Sequence, residues 1–406
     1  MCPKGGVFLR RIPTEEPEVK NHRSLVNFLT GGTGFLGSHI GAELLRRRQE
    51  TIFFIRKRRA MSGTERLEKM LNWHGVDRAQ RAKAHVVEGD LENLGLELGR
   101  QMSDGIDRII HCASDTSFSE RKRKQVWSAN VESLKGLLDF AAQSRISSFL
   151  HVSTAYAAGK RSGSCPEEPI EQEEFFNVYE EAKAAAEHML LERCGDEGIP
   201  LTVIRPSIVY GHSRTGRTFR FNALYYPVKT ALFLRKIFAE DIRERGGVKA
   251  ASAGVSMEKD GTIRLPLRID VGEDGGVNLI PVDFFVRAFF AILEDSTNGG
   301  IYHIVNSKQT PITDIINWAQ NQFKLKGIQP CSPDEFKKTP RNSLEQLFER
   351  YLEAYAPYMK DGRIFLAEKT DSILKRHCFV CPEFDANMFQ RCMAYALEKE
   401  WSGLSI

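Results

Sequence analysis

From position 25 onward, apolar residues gather in short blocks. Leu25 to Leu29 is the first; glycines between Gly31 and Gly37 end it, and Ser38 to Arg48 then carries Ile40, Leu44 and Leu45 at helical spacing. Thr51 to Ile55 is a second block, and others fall at Ala84 to Val87, Ile106 to Ile110, Phe149 to Val152 and Leu201 to Ile204. Helix-length stretches such as Val126 to Ser144 and Tyr179 to Arg193 separate them. Strands alternating with helices predict an α/β chain with a Rossmann-like, doubly wound parallel sheet.

After Pro206 the alternation decays. Residues 211 to 275 are rich in Arg, Gly and aromatics without a clear period, while Val277 to Ile280 and Ile301 to Val305 look like late strands of the sheet. Residues 312 to 406 read mainly helical, with Leu344, Leu347, Phe348 and Leu352 on one face. The expected division is an N-terminal extension over 1–23, a Rossmann domain over 24–210, and a smaller, mostly helical substrate-capping region over 211–406. A cleft would open between the carboxyl edge of the sheet and that cap.

Composition acts here by exclusion. With 42% hydrophobic and 27% charged residues and a net charge of +4, the chain can build a core and lacks the strong basic balance of a nucleic-acid binder. No apolar run reaches the length of a spanning helix, and the first 27 residues hold no apolar signal-peptide core. Eight scattered cysteines fit free thiols in a reducing compartment, so a cytoplasmic location is expected, with any membrane association limited to a peripheral contact.

Thr30-Gly31-Gly32-Thr33-Gly34-Phe35-Leu36-Gly37 joins the first block to the first helix. Glycines there permit a tight turn, and the helix N-terminus accepts a pyrophosphate. The second block runs into Arg56-Lys57-Arg58-Arg59, where an NAD site would place a carboxylate; cations there suit the 2'-phosphate of NADP, with Arg56 the best placed. Asp90 and Leu91 fall where an adenine would lie, although a plain strand-end Asp reads equally well.

Tyr179 and Lys183 are four apart on a predicted helix, so both face one side. An ammonium beside a phenol stabilises the tyrosinate and lowers its pKa, which lets the hydroxyl pass a proton near neutrality. Thr154, ending the block at Val152, offers a second hydroxyl to the same carbonyl oxygen.

With these motifs the chain resembles the extended short-chain dehydrogenase/reductases, and within them the thioester reductase and fatty acyl-CoA reductase branch. The narrower likeness rests on Ile55-Arg56 followed by Glu65-Arg66-Leu67, on His111-Cys112-Ala113, on His151 to Tyr156, on Arg205 to Gly211 and on Pro281-Val282-Asp283. It covers about residues 24 to 310. It implies that Gly31, Gly34 and Gly37 hold the pyrophosphate, that Thr30, Thr33, Phe35 and Leu36 also contact the cofactor, and that Arg56 and Arg66 hold the 2'-phosphate. Ala113, Lys183, Pro206 and Ile208 would contact the rest of the cofactor. Thr154, Tyr179 and Lys183 would be catalytic, and Asn130 fills either the family's helix-asparagine position or a structural one. Ser114 departs from the small apolar residue usual in the branch.

The implied activity is NADPH-dependent reduction of an acyl-CoA or an acyl-carrier-protein thioester to the aldehyde, or onward to the alcohol. A hydrophobic ketone or aldehyde, or a nucleotide sugar, is the alternative substrate, and a non-catalytic NADP-binding regulator is a third reading. Between Arg214 and Lys236, Arg217, Arg220, Lys229 and Arg235 alternate with Phe219, Phe221, Leu224, Tyr225, Phe233 and other apolar residues. That segment reads as an acyl channel with phosphate-binding cations, as a bilayer contact, or as a cap helix packed on the sheet. His377, Cys378 and Cys381 lack the second ligand pair of a structural zinc site, and no metal is expected. Arg121 to Lys124 reads as an exposed helix start, and Cys112 as packing.

Overall fold

The computed structural model describes residues 25–93, 105–272, 275–296 and 298–404, so the expected extension over 1–23 lies outside it. Seven parallel strands form the central sheet: β1 Val26–Thr30, β2 Glu50–Arg56, β3 Ala84–Gly89, β4 Arg108–His111, β5 Ser148–Val152, β6 Leu201–Pro206 and β7 Gly300–Ile304. Their order is β3-β2-β1-β4-β5-β6-β7. The order reverses between β1 and β4, where Thr30 pairs with His111, and the carboxyl ends diverge there to leave a crevice.

The strands are near-continuous apolar runs because both faces are covered. Leu29 and Phe53 enter a cluster with Ile40, Leu44, Phe285 and Phe289, while Phe28 and Phe54 point the other way, toward Leu134, Leu137, Phe149 and Leu190. The first face carries helices α1 Phe35–Arg46 and α6 Val282–Asp295; the second carries α3 Ser133–Ser144 and α4 Val178–Asp196. Helix α2 Gly63–Trp73, after β2, starts at Ser62 with a capping box closed by Glu65. The predicted helix over 126–144 is interrupted by a π-helical stretch, Ser128–Glu132, just before α3.

The cap has its own apolar core, built from α5 Tyr225–Glu244, α7 Ile312–Phe323, α8 Ser343–Leu352 and α9 Ala386–Glu398. It also holds strands that sequence patterning missed. Ile263–Asp270 pairs in parallel with Leu325–Cys331, and its buried residues Ile263, Leu265, Leu267 and Ile269 alternate with more exposed ones. Of the two late strands expected in the sheet, Gly300–Ile304 joins it and the other does not. Gly276–Val277 pairs instead with Thr310–Pro311, and Leu279–Pro281 with Ile208–Tyr210, beside the crevice.

Candidate active site

The turn between β1 and α1 closes through a hydrogen bond from Gly34 N to Gly31 O at 2.8 Å. Gly31 has φ +70°, and a Cβ there would lie 2.5 Å from Ala113 N; a Cβ on Gly37 would lie 2.3 Å from Gly31 O. Only glycine fits either position. Helix α1 starts without a side-chain cap and with no acidic residue in its first turn, so its N–H groups remain available to an anion. Thr33, Gly34, Phe35 and Leu36 lie half-buried along this turn. The Thr30 hydroxyl faces the sheet, 2.8 Å from His111 Nδ1, and accepts from Ala113 N at 3.3 Å.

At the end of β2, Arg56 is exposed and Arg66 of α2 is buried, donating through Nη2 to the Arg56 carbonyl. Arg66 Nε has no hydrogen-bond partner among the described residues. Burial and the positive charges of Arg58 and Arg56 hold the Arg66 pKa below its ordinary value, with Glu88 acting the other way. Crowded guanidinium groups and a buried N–H without a partner among the described residues are features that suit a phosphate. Asp90 accepts from Glu92 N at 3.2 Å, and Leu91 packs on the Phe28 cluster, both just past β3.

Thr154 follows β5, and Asn177 caps α4 by accepting from the N–H groups of Tyr179 and Glu180. Thr154, Tyr179 and Lys183 line one cavity of about 1280 Å³ together with Gly34, Phe35, Leu36 and Gly37. Pro206 and Ile208 join the wall from the far side. Lys183 Nζ donates to Val152 O at 2.9 Å, and burial lowers its pKa to about 8. Burial, reinforced by the Glu180 charge, pushes the Tyr179 phenol above its ordinary value, while a hydrogen bond with Thr154 acts the other way. The Lys183 ammonium was expected to lower the phenol; burial and the Glu180 charge raise it instead, and Tyr179 stays protonated, the form that donates. Asn130, in the π-helical stretch, accepts from Ser114 Oγ and Asp115 N and donates to Asp115 O, bracing the loop after β4.

Two buried networks that sequence reasoning missed hold this set. Arg205 binds Glu187 through two nitrogens, and Ser153, beside Thr154, donates to the same carboxylate. From the cap, Tyr358 donates to Glu180 at 2.8 Å and accepts from Asn177 at 2.7 Å, next to the buried Arg363–Asp361 ion pair. Phe118 and Tyr358 flank the Tyr179 side of the cavity, with Phe118 5.9 Å from the Tyr179 ring. These partners are tens to hundreds of residues apart, a separation that leaves no periodic signal.

The segment from Arg214 to Lys236 divides. Phe219 packs on Phe35 and Tyr225 stacks on Tyr210 at 4.1 Å, and Phe238, just past the segment, lies in the cap core, so these aromatics are packing. Arg220 and Leu224 reach the cavity, as does Arg121 from the basic run read as a helix start. Burial pushes the Cys112 thiol up to about 12. His377 pairs with Asp295, and among the described residues no cluster of His, Cys, Asp and Glu could hold a metal. No described helix is long and apolar enough to cross a membrane.

A family model described as Male sterility protein, an NAD-binding family, matches residues 29–289. A linear gramicidin synthase polypeptide of Brevibacillus parabrevis is 24% identical over 395 residues, covering 90% of this chain and 7% of that protein. Fatty acyl-CoA reductase wat of Drosophila melanogaster is 24% identical over 320 residues, 69% of this chain and 56% of that one. The chain thus spans about half or less of these relatives' length. Among solved structures, the terminal R domain of the myxalamid PKS-NRPS pathway superposes with a TM-score of 0.70 at 22% identity, covering 94% of this chain and 92% of that one. With the glycine turn, the strand order and the matched span in agreement, this chain belongs to the Male sterility protein family of NAD(P)-dependent extended short-chain dehydrogenase/reductases.

Proposed function

We propose that the protein is an NADPH-dependent reductase of acyl thioesters, carried on coenzyme A or on an acyl-carrier protein, that forms the aldehyde or continues to the alcohol. The observation that carries this reading is the single cavity shared by Thr154, Tyr179, Lys183 and the glycine turn. The likeness to a fatty acyl-CoA reductase supports the substrate class. Arg121 and Arg220, exposed on the same cavity, suit the phosphates of a pantetheine carrier.

NADPH, when bound, supplies the hydride. Thr154 and Tyr179 donate hydrogen bonds to the thioester oxygen and stabilise the charge that develops on it as the carbonyl carbon becomes tetrahedral. Tyr179 then gives its proton to that oxygen. Collapse returns that proton to Tyr179 and breaks the carbon–sulfur bond, leaving the aldehyde and a thiolate that takes a proton from water. Lys183 keeps positive charge beneath the site, where burial makes that charge strong. The test is NADPH oxidation with octanoyl-CoA while free thiol is titrated. Thiol release matched to NADPH consumption supports the reading, and turnover confined to ketones overturns it.

Two further results are expected. Replacing Arg56 and Arg66 by Ala should weaken NADPH binding by at least about tenfold more than NADH binding, the scale of losing a charge-assisted phosphate contact; equal losses, measured by nicotinamide fluorescence, would remove the phosphate assignment. In kcat/KM an alkaline limb should appear near pH 8, where Lys183 loses its proton. The neighbouring groups do not titrate there, since His111 is held at about 3, His151 lies well below its usual value and Cys112 is near 12. Because the folded Lys183 pKa is lowered from 10.5 to about 8, the unfolded chain binds more protons between these values. Lys183's contribution to stability therefore rises with pH in that window, and melting followed in parallel separates loss of activity from unfolding. A limb displaced to pH 10 would contradict the assignment.

A further inference from the structure

The cavity does not end at the catalytic residues. It continues into the core of the cap, and its lining changes character on the way. Ser117, Arg121, Asn177, Arg220 and Asn222 come from the segments around the crevice, and the cap adds the exposed Glu353 and the half-buried Tyr355. Inside the cap, its wall is drawn from the same apolar cluster that holds the cap together, including Val228, Ile315, Ile316, Ile328 and Phe348. At about 1280 Å³ the space exceeds the roughly 300–1,000 Å³ of a site for one drug-sized ligand.

Topology orders the inner wall. Leu279 lies on the strand paired with Ile208, beside the catalytic residues, and Val277 pairs with Thr310, just ahead of α7. From α7, Ile312, Ile315, Ile316 and Ala319 reach the cavity; spaced at i, i+3, i+4 and i+7, they form one stripe. At 1.5 Å rise per residue that stripe runs roughly 10 Å away from the crevice. Ala319, at its far end, and Ala231 of α5 are small, buried side chains in this wall.

We infer that the acyl tail threads into the core of the cap along α7, and that Ala319 determines how long a tail can enter. This rests on the thioester reading for the reacting end. The occupant is an unbranched aliphatic chain, because the α7 stripe and the Val228, Ala231, Ile328 and Phe348 side chains facing the same cavity are all apolar, while Glu353, the charged residue the cap adds to the described lining, is exposed to solvent. A carboxylate at the end of the tail would be buried without a partner.

The experiment compares butyryl-, octanoyl- and dodecanoyl-CoA, with glutaryl-CoA as the acid-tipped control, on wild type and on Ala319→Phe. Each methylene that enters the tunnel should raise wild-type kcat/KM by about fourfold, the ratio given by ~0.8 kcal/mol per buried CH2. Glutaryl-CoA should fall below butyryl-CoA. In Ala319→Phe the dodecanoyl-to-butyryl ratio should fall by at least about tenfold, as an added ring fills space the tail needs. NADPH binding to the variant checks its fold, and displacement of bound cis-parinaric acid by fatty acids of increasing length reads the tunnel without turnover. Equal kcat/KM at every length would overturn the tunnel and leave the thioester reading standing. Length-ordered displacement without thiol release would uphold the tunnel and overturn that reading.

Discussion

Tyr179→Phe is expected to lower kcat by about 10²- to 10⁴-fold, the range that a positioned proton donor contributes. The substitution removes one oxygen and leaves the rest of the side chain. Backbone contacts place this residue, since Asn177 caps its N–H at 3.1 Å, and the Phe118 ring would pack on Phe as it does on Tyr. NADPH affinity should therefore stay within about twofold, measured by fluorescence titration. Burial keeps the phenol protonated, so the loss should be the same from pH 6 to 8. Turnover that survives the substitution would remove Tyr179 from the chemistry and move the protein toward the cofactor-binding regulator.

The second large effect is on stability. Glu187→Leu should destabilise the fold by about 3–5 kcal/mol, because it leaves the Arg205 guanidinium buried without its carboxylate. Arg205 and Glu187 both lie inside the protein, with side-chain exposures of 4% and 0%, and their contact is bidentate. Arg205→Leu alone should be comparably damaging, since among the described residues Glu187 would keep only its hydrogen bond from Ser153. The double variant should recover part of the loss, because removing both charges also removes the penalty for burying one unpaired. Ser153 precedes Thr154, so the single variants should lower kcat as well. Urea unfolding of the three variants measures this, and a Glu187→Leu protein within about 1 kcal/mol of wild type would show that the pair is dispensable.

What the sequence made legible follows from distance along the chain. The turn from Thr30 to Gly37, the strands after it and the Tyr179–Lys183 pair are local patterns, and the structure brings the turn and that pair to one cavity with Thr154. The strand Ile263–Asp270 was readable in principle, since its buried residues alternate strictly, but Pro266 in its middle and the glycines around it masked the period. The cap wall was not readable. Ile312 to Ala319 looks like any amphipathic helix, and only its pairing partners show that the apolar stripe meets a cavity rather than a filled core. Likewise Tyr358 reaches Glu180 across 178 residues, and nothing local marks either residue for the other. The phenol shifted upward, against the expected direction, because burial depends on packing that spacing does not encode.

The most direct measurement follows the hydride itself. Octanoyl-CoA would be incubated with NADPH carrying deuterium at the transferable C4 position, and the products analysed by mass spectrometry as free thiol is counted. Deuterium on the former carbonyl carbon of octanal or octanol, with one thiol released per acyl group reduced, is the expected result. NADPH oxidation with the thioester intact, or with the label absent from that carbon, would contradict thioester reduction at Thr154, Tyr179 and Lys183.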